Sequence, residues 1–285
     1  MLTQSQVKHI AALKLKKFRE EHGQFIAEGH KLVMDMVSSE FLITGIYASG
    51  EWIAENHSMV SAKKIPVFET TAREMERISA LSTPSQVMAV VNIPVPDHTV
   101  SGMHDFSNSL SLALDDIRDP GNLGTIIRIA DWFGIETVLC SQNCVDVYNP
   151  KVVQATMGSI ARVKVLSCNL VEVLGGTPSG SPTPSGSPTP SGSPTPSGCR
   201  DEVPVYGTFL EGDSLYDQTL SNQGVIVIGN EARGISPELA PFITNKIFIP
   251  SFGSSVNGKA ESLNASVATA IICAEFRRVK PNPNA

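Results

Sequence analysis

Apolar positions along the first part of the chain alternate between helical and extended spacing. Between residues 4 and 22, Val7, Ile10, Leu13 and Phe18 recur at helical spacing among lysines and glutamates, which predicts one amphipathic helix. The residues that follow predict short strands over 25–29, 43–48, 66–68 and 86–91, and helices over 30–38, 52–57 and 72–78. This pattern predicts a small α/β domain over residues 1–95.

A second alternation begins at Leu110. The run from Leu110 to Leu114 is apolar throughout, which is typical of a buried parallel strand. Similar runs predict strands over 136–140, 162–166, 203–209, 225–229 and 246–249. Because helical stretches separate these strands, the pattern predicts a mostly parallel sheet with helices on both faces.

Capping residues predict where the helices of this second domain begin and end. Asn122 is a good N-cap, and Gly134 suits the end of the same helix. Asn149 followed by Pro150 predicts another start, with proline in the first helical position. Ser236 and Pro237 predict a short helix, and residues 262–278 predict the last helix.

Two segments interrupt the alternation. The proline-rich stretch after Ile93 predicts a stiff linker over 96–108, so that the second domain spans 109–285. Between residues 175 and 198 the hexapeptide TPSGSP recurs without large apolar side chains. A segment of this composition cannot bury a core, and its near-perfect period suggests an engineered insertion in a surface loop.

Composition and charge narrow the range of functions. The 285 residues are 41% apolar and 18% charged, and no apolar run approaches the length of a membrane span, so we expect no membrane partner. The net charge of −6 argues mildly against nucleic acid, yet residues 1–31 carry six Lys or Arg against three Glu, which leaves a basic N-terminal helix that attracts phosphates or is simply solvated. The start of the chain lacks a signal-peptide pattern, and the five cysteines include no CxxC pair, so we expect a cytoplasmic protein without a metal.

Three polar segments each follow a predicted strand. They are residues 119–128, 229–234 and 261–266, and they are rich in Gly, Asn and Ser. Ligands of open α/β sheets bind beyond the carboxyl ends of the strands, so these segments predict one shared pocket. The pocket would offer the guanidinium of Arg128, the carboxylate of Glu231, the amides of Asn122 and Asn264, and the hydroxyl of Ser262.

Common site motifs are missing from these segments. The turn at Gly121–Gly124 lacks the GxGxxG spacing of dinucleotide sites, and the chain has no zinc signature and no GxSxG elbow. Taken singly, each segment is equally typical of a capped helix with a surface charge.

In combination and in order, Asn122-Leu123-Gly124 to Arg128, Gly229 to Gly234, and Ile249-Pro250 with Glu261 to Asn264 resemble the three motifs of the SpoU (TrmH-like) RNA 2′-O-ribose methyltransferases of the SPOUT class. The resemblance covers residues 109–280. Residues 25–33 more loosely resemble the ribosomal-L30e-like domain that many members carry for substrate binding.

The resemblance implies a fold, a cofactor and a set of site residues. The fold would contain a deep trefoil knot, and the protein would be a homodimer whose active site draws on both subunits. The cofactor would be S-adenosylmethionine, and the substrate structured RNA, ribosomal RNA before transfer RNA. The matching active-site positions are Asn122, Arg128, Glu231, Ser262 and Asn264. The matching cofactor positions are Ile228, Gly229, Asn230, Gly234, Ile249, Pro250 and Leu263.

Specific roles follow from the same resemblance. Arginine hardly deprotonates, so Arg128 is expected to stabilise the developing alkoxide rather than act as a base, and Glu231 to orient Arg128 or the nucleotide. Residues 251–260 form a longer spacer than the family pattern, and they border the expected cofactor site. A catalytically silent RNA-binding scaffold and a nucleotide-binding enzyme that does not act on RNA are the alternatives from other classes.

Overall fold

The computed structural model of this protein describes residues 2–95, 103–176, 203–253 and 262–278. A four-stranded sheet with the order β1-β4-β2-β3 organises the N-terminal part. Its strands are β1 (Gln24–Glu28), β2 (Ile43–Ala48), β3 (Val67–Glu69) and β4 (Val87–Asn92). Its helices are α1 (Gln4–Ala12), α2 (Lys16–His22), α3 (His30–Ser38), α4 (Gly50–Ala62) and α5 (Ala72–Ile78). The predicted small α/β domain is therefore confirmed.

The single helix predicted over residues 4–22 is wrong, because the chain breaks it into α1 and α2. Leu13 ends α1 as its C-cap, and Leu15 precedes α2 with extended backbone angles. The carbonyl groups that this break frees at Leu13 and Lys14 each accept a 2.9 Å hydrogen bond from Nη1 of Arg19. Only 2% of Arg19 is exposed, so a buried guanidinium compensates for the interrupted helix.

A six-stranded sheet organises the C-terminal part, with the order β10-β8-β9-β5-β6-β7 and every neighbouring pair parallel. Its strands are β5 (Leu110–Leu114), β6 (Thr137–Ser141), β7 (Lys164–Cys168), β8 (Val205–Ser214), β9 (Gly224–Ile228) and β10 (Asn245–Phe248). Its helices are α6 (Pro120–Trp132), α7 (Pro150–Ala155), α8 (Leu170–Leu174) and α9 (Ala265–Phe276). Leu112 and Ala113 of β5 belong to separate apolar clusters on the two faces, so the prediction of a parallel sheet covered on both sides is confirmed.

Four local predictions in this part need correction. Asn122 does not cap α6, because Asp119 does so with Pro120 in the first helical position. The last helix begins only after Asn264, its N-cap. The segment after Ser236 forms a turn and a three-residue 3-10 helix rather than an α-helix. Strand β8 extends to Ser214, because it bulges between Gly207, which pairs with Lys246, and Asp213, which pairs with Ile247.

The connections between elements fall partly outside the described residues. Residues 96–102 of the predicted linker, most of the hexapeptide repeat and residues 254–261 are among those not described. The trefoil knot depends on the path through 254–261, so it stays a prediction, as do the domain limits at 95, 108 and 285. Within the described ranges, no helix has the length and apolar content that a membrane crossing requires, and no three His, Cys, Asp or Glu side chains group as a metal site.

We expect that deleting residues 177–198 leaves activity intact and does not lower the melting temperature. Gly175 is kept because it caps α8 through a 2.9 Å hydrogen bond to Val171. A Cβ at Gly175 would lie 3.2 Å from Phe242, and Thr244 hydrogen-bonds to Val205 at 2.9 Å, so the end of α8 lies close to the start of β8. Shortening the connection should change stability by no more than roughly 2 kcal/mol, in the stabilising direction. Thermal unfolding and a methylation assay check this, and a clear loss in either would assign the repeat a role.

Candidate active site

The turns that follow β5 and β9 lie side by side, because these two strands pair at the centre of the sheet. Asp115 donates its backbone N–H to the carbonyl of Ile228 at 2.9 Å, which joins the two strand ends. Two of the three polar segments therefore meet at the carboxyl edge, where open α/β sheets bind ligands. The third follows β10, whose strand lies further along the same sheet.

The first turn is fixed by two acidic residues. Asp116 adopts a left-handed backbone conformation with φ of 57°, and its carboxylate accepts a 2.7 Å hydrogen bond from Nε of Arg118. Asp119 caps α6 by accepting the backbone N–H of Asn122 at 2.8 Å. This cap satisfies the helix start, so the side chain of Asn122 is free to face the neighbouring loops.

The amide of Asn122 connects all three polar segments. Its Nδ2 donates to Oε1 of Glu231 at 2.5 Å, and its Oδ1 accepts from Nδ2 of Asn264 at 2.8 Å. A carboxylate can only accept, so the contact with Glu231 fixes the orientation of the Asn122 amide. The hydroxyl of Ser266 donates to Oδ1 of Asn264 at 2.6 Å and completes the group. Asn122, Glu231 and Asn264 lie at least 33 positions apart in sequence and converge only in the fold.

The second turn is built for close backbone approach. A Cβ on Gly229 would lie 2.3 Å from the carbonyl carbon of Gly234, so only glycine fits there. The backbones of Asn230 and Gly234 exchange hydrogen bonds of 3.0 and 2.8 Å. The Asn230 side chain accepts from the N–H of Ala232 and donates to the carbonyl of Asp116 at 2.8 Å, which ties the second turn to the first.

Arg128 stands apart from this group. It is exposed on α6, and it makes no hydrogen bond or ion pair with any residue that the structure describes. Six residues separate it from Asn122, which is about 9 Å along a helix axis. Within one chain Glu231 binds Asn122 and does not contact Arg128, so its expected role of orienting Arg128 or the nucleotide stays a prediction.

The remaining predicted residues line the edge unevenly. Ile228 is buried, Ile249 and Pro250 are half-buried, and 45% of Leu263 is exposed. Ser262 is exposed and makes no hydrogen bond within the described part of the chain, so the structure does not bring it into the group. Ser266 takes the position expected of Ser262. The sequence signal for Ser266 is its position two residues after Asn264, the N-cap of α9. A capping side chain binds the N–H groups of the first helical turn, and this brings Ser266 beside Asn264.

Residues of the loop after β6 were also missed. The hydroxyl of Ser141 accepts the N–H of Asp116 at 2.9 Å. The thiol of Cys144 accepts the N–H of Ile117 and donates to the carbonyl of Leu114, both at 3.3 Å. Nothing in the local sequence marks these side chains, because their partners lie 25 to 30 positions away.

Cys144 is expected to react with alkylating agents near neutral pH. Its hydrogen bond with Cys140 outweighs burial and, with bonds from Ser141 and Ile117, lowers the pKa of Cys144 to about 7. Because this pKa is lower in the folded protein, the thiolate stabilises the fold at high pH, and the contribution is lost as pH falls through about 7. Iodoacetamide labelling followed by peptide mass spectrometry should give a midpoint near that pH.

Cys168 provides the control within the same chain. It is also half-buried, but burial raises the pKa of Cys168 to about 11, so we expect little labelling at neutral pH. Equal labelling of both thiols at pH 7 would contradict the prediction.

Comparison with known proteins agrees with this geometry. The profile of the SpoU rRNA Methylase family matches residues 109–177 and 194–274, which is more than half of the chain. The chain belongs to the SpoU rRNA methylase family. An MRM3-like substrate binding domain matches residues 4–89. The SpoU match passes over residues 178–193, which lie in the hexapeptide repeat.

Two solved structures are similar to this SpoU family member along nearly its whole length. A putative RNA methyltransferase of the TrmH family from Porphyromonas gingivalis is 37% identical with a TM-score of 0.77, over 97% of this chain and 98% of that one. The AdoMet-bound rRNA methyltransferase from Sinorhizobium meliloti is 28% identical with a TM-score of 0.76, over 97% and 95%.

Curated relatives match over different lengths. The 23S rRNA (guanosine(2553)-2′-O)-methyltransferase RlmP of Bacillus subtilis is 25% identical over 95% of both chains. The mitochondrial rRNA methyltransferase 3 of Xenopus laevis is 33% identical over 56% of this chain, which spans only 39% of that relative.

Proposed function

We propose that the protein transfers a methyl group from S-adenosylmethionine to a ribose 2′-hydroxyl of structured RNA, most specifically ribosomal RNA. The observation that carries the proposal is the amide of Asn122, which joins Glu231 and Asn264 from three separate segments at the carboxyl edge of the sheet. A polar group fixed in this way can hold two reactants in the geometry that group transfer requires. Both RlmP and the Sinorhizobium protein are rRNA methyltransferases by name, and both match this chain almost end to end.

The residues at the edge suit S-adenosylmethionine. Gly229 lets the second turn fold back on itself at the strand end, because a Cβ at this position would clash with the backbone of Gly234. The half-buried Ile249 and Pro250 and the exposed Leu263 offer apolar surface of the kind an adenine ring covers. Among solved neighbours, the Sinorhizobium protein binds AdoMet. We therefore assign Ile228, Gly229, Asn230, Gly234, Ile249, Pro250 and Leu263 to the cofactor site.

The chain supplies positioning and charge to the reaction. The bound cofactor would provide an electrophilic methyl group on a sulfonium centre, and the ribose hydroxyl would lose its proton as its oxygen bonds to that carbon. Arg128 would stabilise the negative charge that develops on this oxygen, since its exposed guanidinium has no partner among the described residues and is available to bind phosphate or alkoxide. Asn122, Glu231 and Asn264 would hold the first and second turns in register, with Ser266 in place of Ser262.

We also propose a homodimer with a shared active site. Arg128 lies six residues from Asn122 along α6, about 9 Å on the helix axis, and it forms no hydrogen bond with the Asn122 group of its own chain. A partner subunit would supply the second surface that completes the site. Helix α9 carries no charged residue from Ala265 to Ala274, yet 48% of Val267 is exposed, and Trp132 on the adjacent α6 is 84% exposed. An apolar helix face of this kind is typical of a subunit interface. A trefoil knot and a cytoplasmic location complete the proposal.

Subunit mixing tests the shared site. If Arg128 serves the partner's site, heterodimers of Arg128→Ala and Asn122→Asp chains contain one site with both residues intact, so the mixture should regain activity that neither variant has alone. No regain in a mixture shown to exchange subunits would reject the shared site.

Two measurements test the activity. Isothermal titration calorimetry should detect binding of S-adenosylmethionine, and transfer of a labelled methyl group to total RNA, followed by nucleoside analysis, should yield 2′-O-methylated nucleosides in ribosomal RNA. Methylation confined to transfer RNA would replace the substrate assignment. Cofactor binding without transfer to any RNA would favour a silent RNA-binding scaffold.

A further inference from the structure

One loop of the C-terminal domain contacts both the candidate active site and the N-terminal domain. This loop, residues 141–149, connects β6 to α7 and is called the bridging loop below. Its first half holds the turn after β5, and its second half receives a buried arginine from α2. We propose that Arg19 is a positioning residue for the active site, acting through Asp146 and the bridging loop.

The first half of the bridging loop forms hydrogen bonds with the backbone of the turn after β5. Ser141 accepts the N–H of Asp116 at 2.9 Å, and Cys144 accepts the N–H of Ile117 at 3.3 Å. Val145 donates its own N–H to the carbonyl of Ile117 at 2.9 Å. Asp116 in turn accepts the side chain of Asn230 from the second turn. Any shift of the bridging loop therefore reaches both turns of the site.

The other half of the bridging loop is anchored to the N-terminal domain by the guanidinium of Arg19 and by the ring of Tyr148, which packs against Phe25. Nε and Nη2 of Arg19 donate to Oδ2 of Asp146 at 2.9 and 2.5 Å. Asp146 also uses Oδ1 to accept the N–H of Tyr148 at 3.0 Å, so the carboxylate fixes the loop backbone as well as the arginine. Arg19 is 2% exposed, and its Nη1 binds two carbonyls of its own domain. The guanidinium is thus held rigidly from both sides.

A second ion pair crosses the same domain boundary without contacting the bridging loop. Asp35 of α3 lies 3.5 Å from Arg162, which also binds Asp131 at the end of α6 at 2.8 Å. Arg162 is far in sequence from the turns of the site, and Asp131 lies at the opposite end of α6 from Asn122. This ion pair joins the two domains but does not contact the active-site turns. Removing it therefore tests the effect of a weaker domain contact alone.

The inference rests on the proposed function for its consequence, because the N-terminal domain would bind RNA and the turns would hold the cofactor. Binding of RNA to the N-terminal domain would then alter the affinity of the turns for the cofactor. Binding of the cofactor would alter the affinity for RNA by the same factor. The neutral variant Arg19→Met removes both bonds to Asp146 and both bonds to the α1–α2 connection. Asp35→Asn is the matched control, and Arg19→Lys is the conservative variant.

The first readout is backbone hydrogen exchange at Asp116 and Ile117. We expect Arg19→Met to speed exchange at these two amides clearly more than Asp35→Asn does, with Arg19→Lys between wild type and Arg19→Met. Equal exchange at these two amides in the Met and Asn variants would overturn the proposal. This readout needs no ligand, so it decides the inference even if the proposed function fails.

The second readout is the dissociation constant for S-adenosylmethionine measured without RNA. Arg19→Met should weaken binding by about 5- to 150-fold, the usual range for coupled sites, while Asp35→Asn should stay within about twofold of wild type. An unchanged dissociation constant in a folded Arg19→Met protein would overturn the proposal. If Arg19→Met does not fold, Arg19→Lys carries both comparisons. If wild-type protein binds no S-adenosylmethionine, the proposed function fails, and the exchange experiment alone judges Arg19.

Discussion

Replacing Arg128 with alanine is expected to lower kcat by about 100- to 1,000-fold, the usual cost of removing one donor that stabilises a developing oxyanion. The side chain is exposed and makes no hydrogen bond or ion pair with other described residues, so folding should be unaffected. We expect a change of less than about 0.5 kcal/mol in unfolding free energy, as for other surface substitutions. Methyl transfer under saturating substrate and thermal unfolding measure the two quantities.

Lysine at position 128 separates charge from geometry. A lysine ammonium keeps the positive charge but lacks the planar fork that binds two oxygens, so Arg128→Lys should recover only part of the lost rate. Arg278→Ala is the control, because Arg278 is also exposed and, among the described residues, its only ion pair is with Glu275 near the end of α9. Full turnover by Arg128→Lys would reject the role given to the guanidinium.

Asn122→Asp is expected to give the second large effect, on the order of a 100-fold loss of kcat at neutral pH. The substitution keeps the shape of the side chain but places a second carboxylate 2.5 Å from Oε1 of Glu231. Two carboxylates so close cannot both ionise, so the pKa of one of them rises. A carboxyl group with a raised pKa in the folded state contributes stability at low pH that is lost as pH increases through that pKa. The melting temperature of the variant should therefore fall between about pH 5 and pH 8.

A second substitution in the same chain tests this explanation. In the double variant Asn122→Asp with Glu231→Gln, the amide at position 231 donates to the new carboxylate, so the hydrogen bond returns with its direction reversed. We expect the double variant to be more active than Asn122→Asp alone, and its melting temperature to lose the added pH dependence. A double variant as impaired as the single one would show that charge repulsion is not the cause.

The elements of the fold were largely predictable, because each depends on residues close together in sequence. The run from Leu110 to Leu114 and helix α3 have the bounds that their patterns predict. One error arose where a side chain competes with the helical hydrogen bonds that the pattern implies. Residues 4–22 look like one helix until the buried guanidinium of Arg19 takes the carbonyls at the break.

The site was predictable in its composition and less so in its contacts. Asn122, Glu231 and Asn264 meet as the three motifs suggested, but Asn122 was misjudged as a cap, since Asp119 followed by Pro120 is the stronger helix start. Arg128 was expected beside Glu231, yet the two do not touch. Helical spacing shows that Arg128 and Asn122 share a helix, but it does not show which of them faces Glu231.

The sequence by itself determined the α/β alternation, the segments that supply the polar side chains and the resemblance to the SpoU family. Only the tertiary structure decided which of those side chains meet. Strand β9 pairs with β5 across more than a hundred residues, and this pairing brings Glu231 to Asn122. The order of strands depends on how the whole set of apolar faces packs into two layers. Local periodicity fixes which face of each element is apolar, but it carries no information about which strands become neighbours.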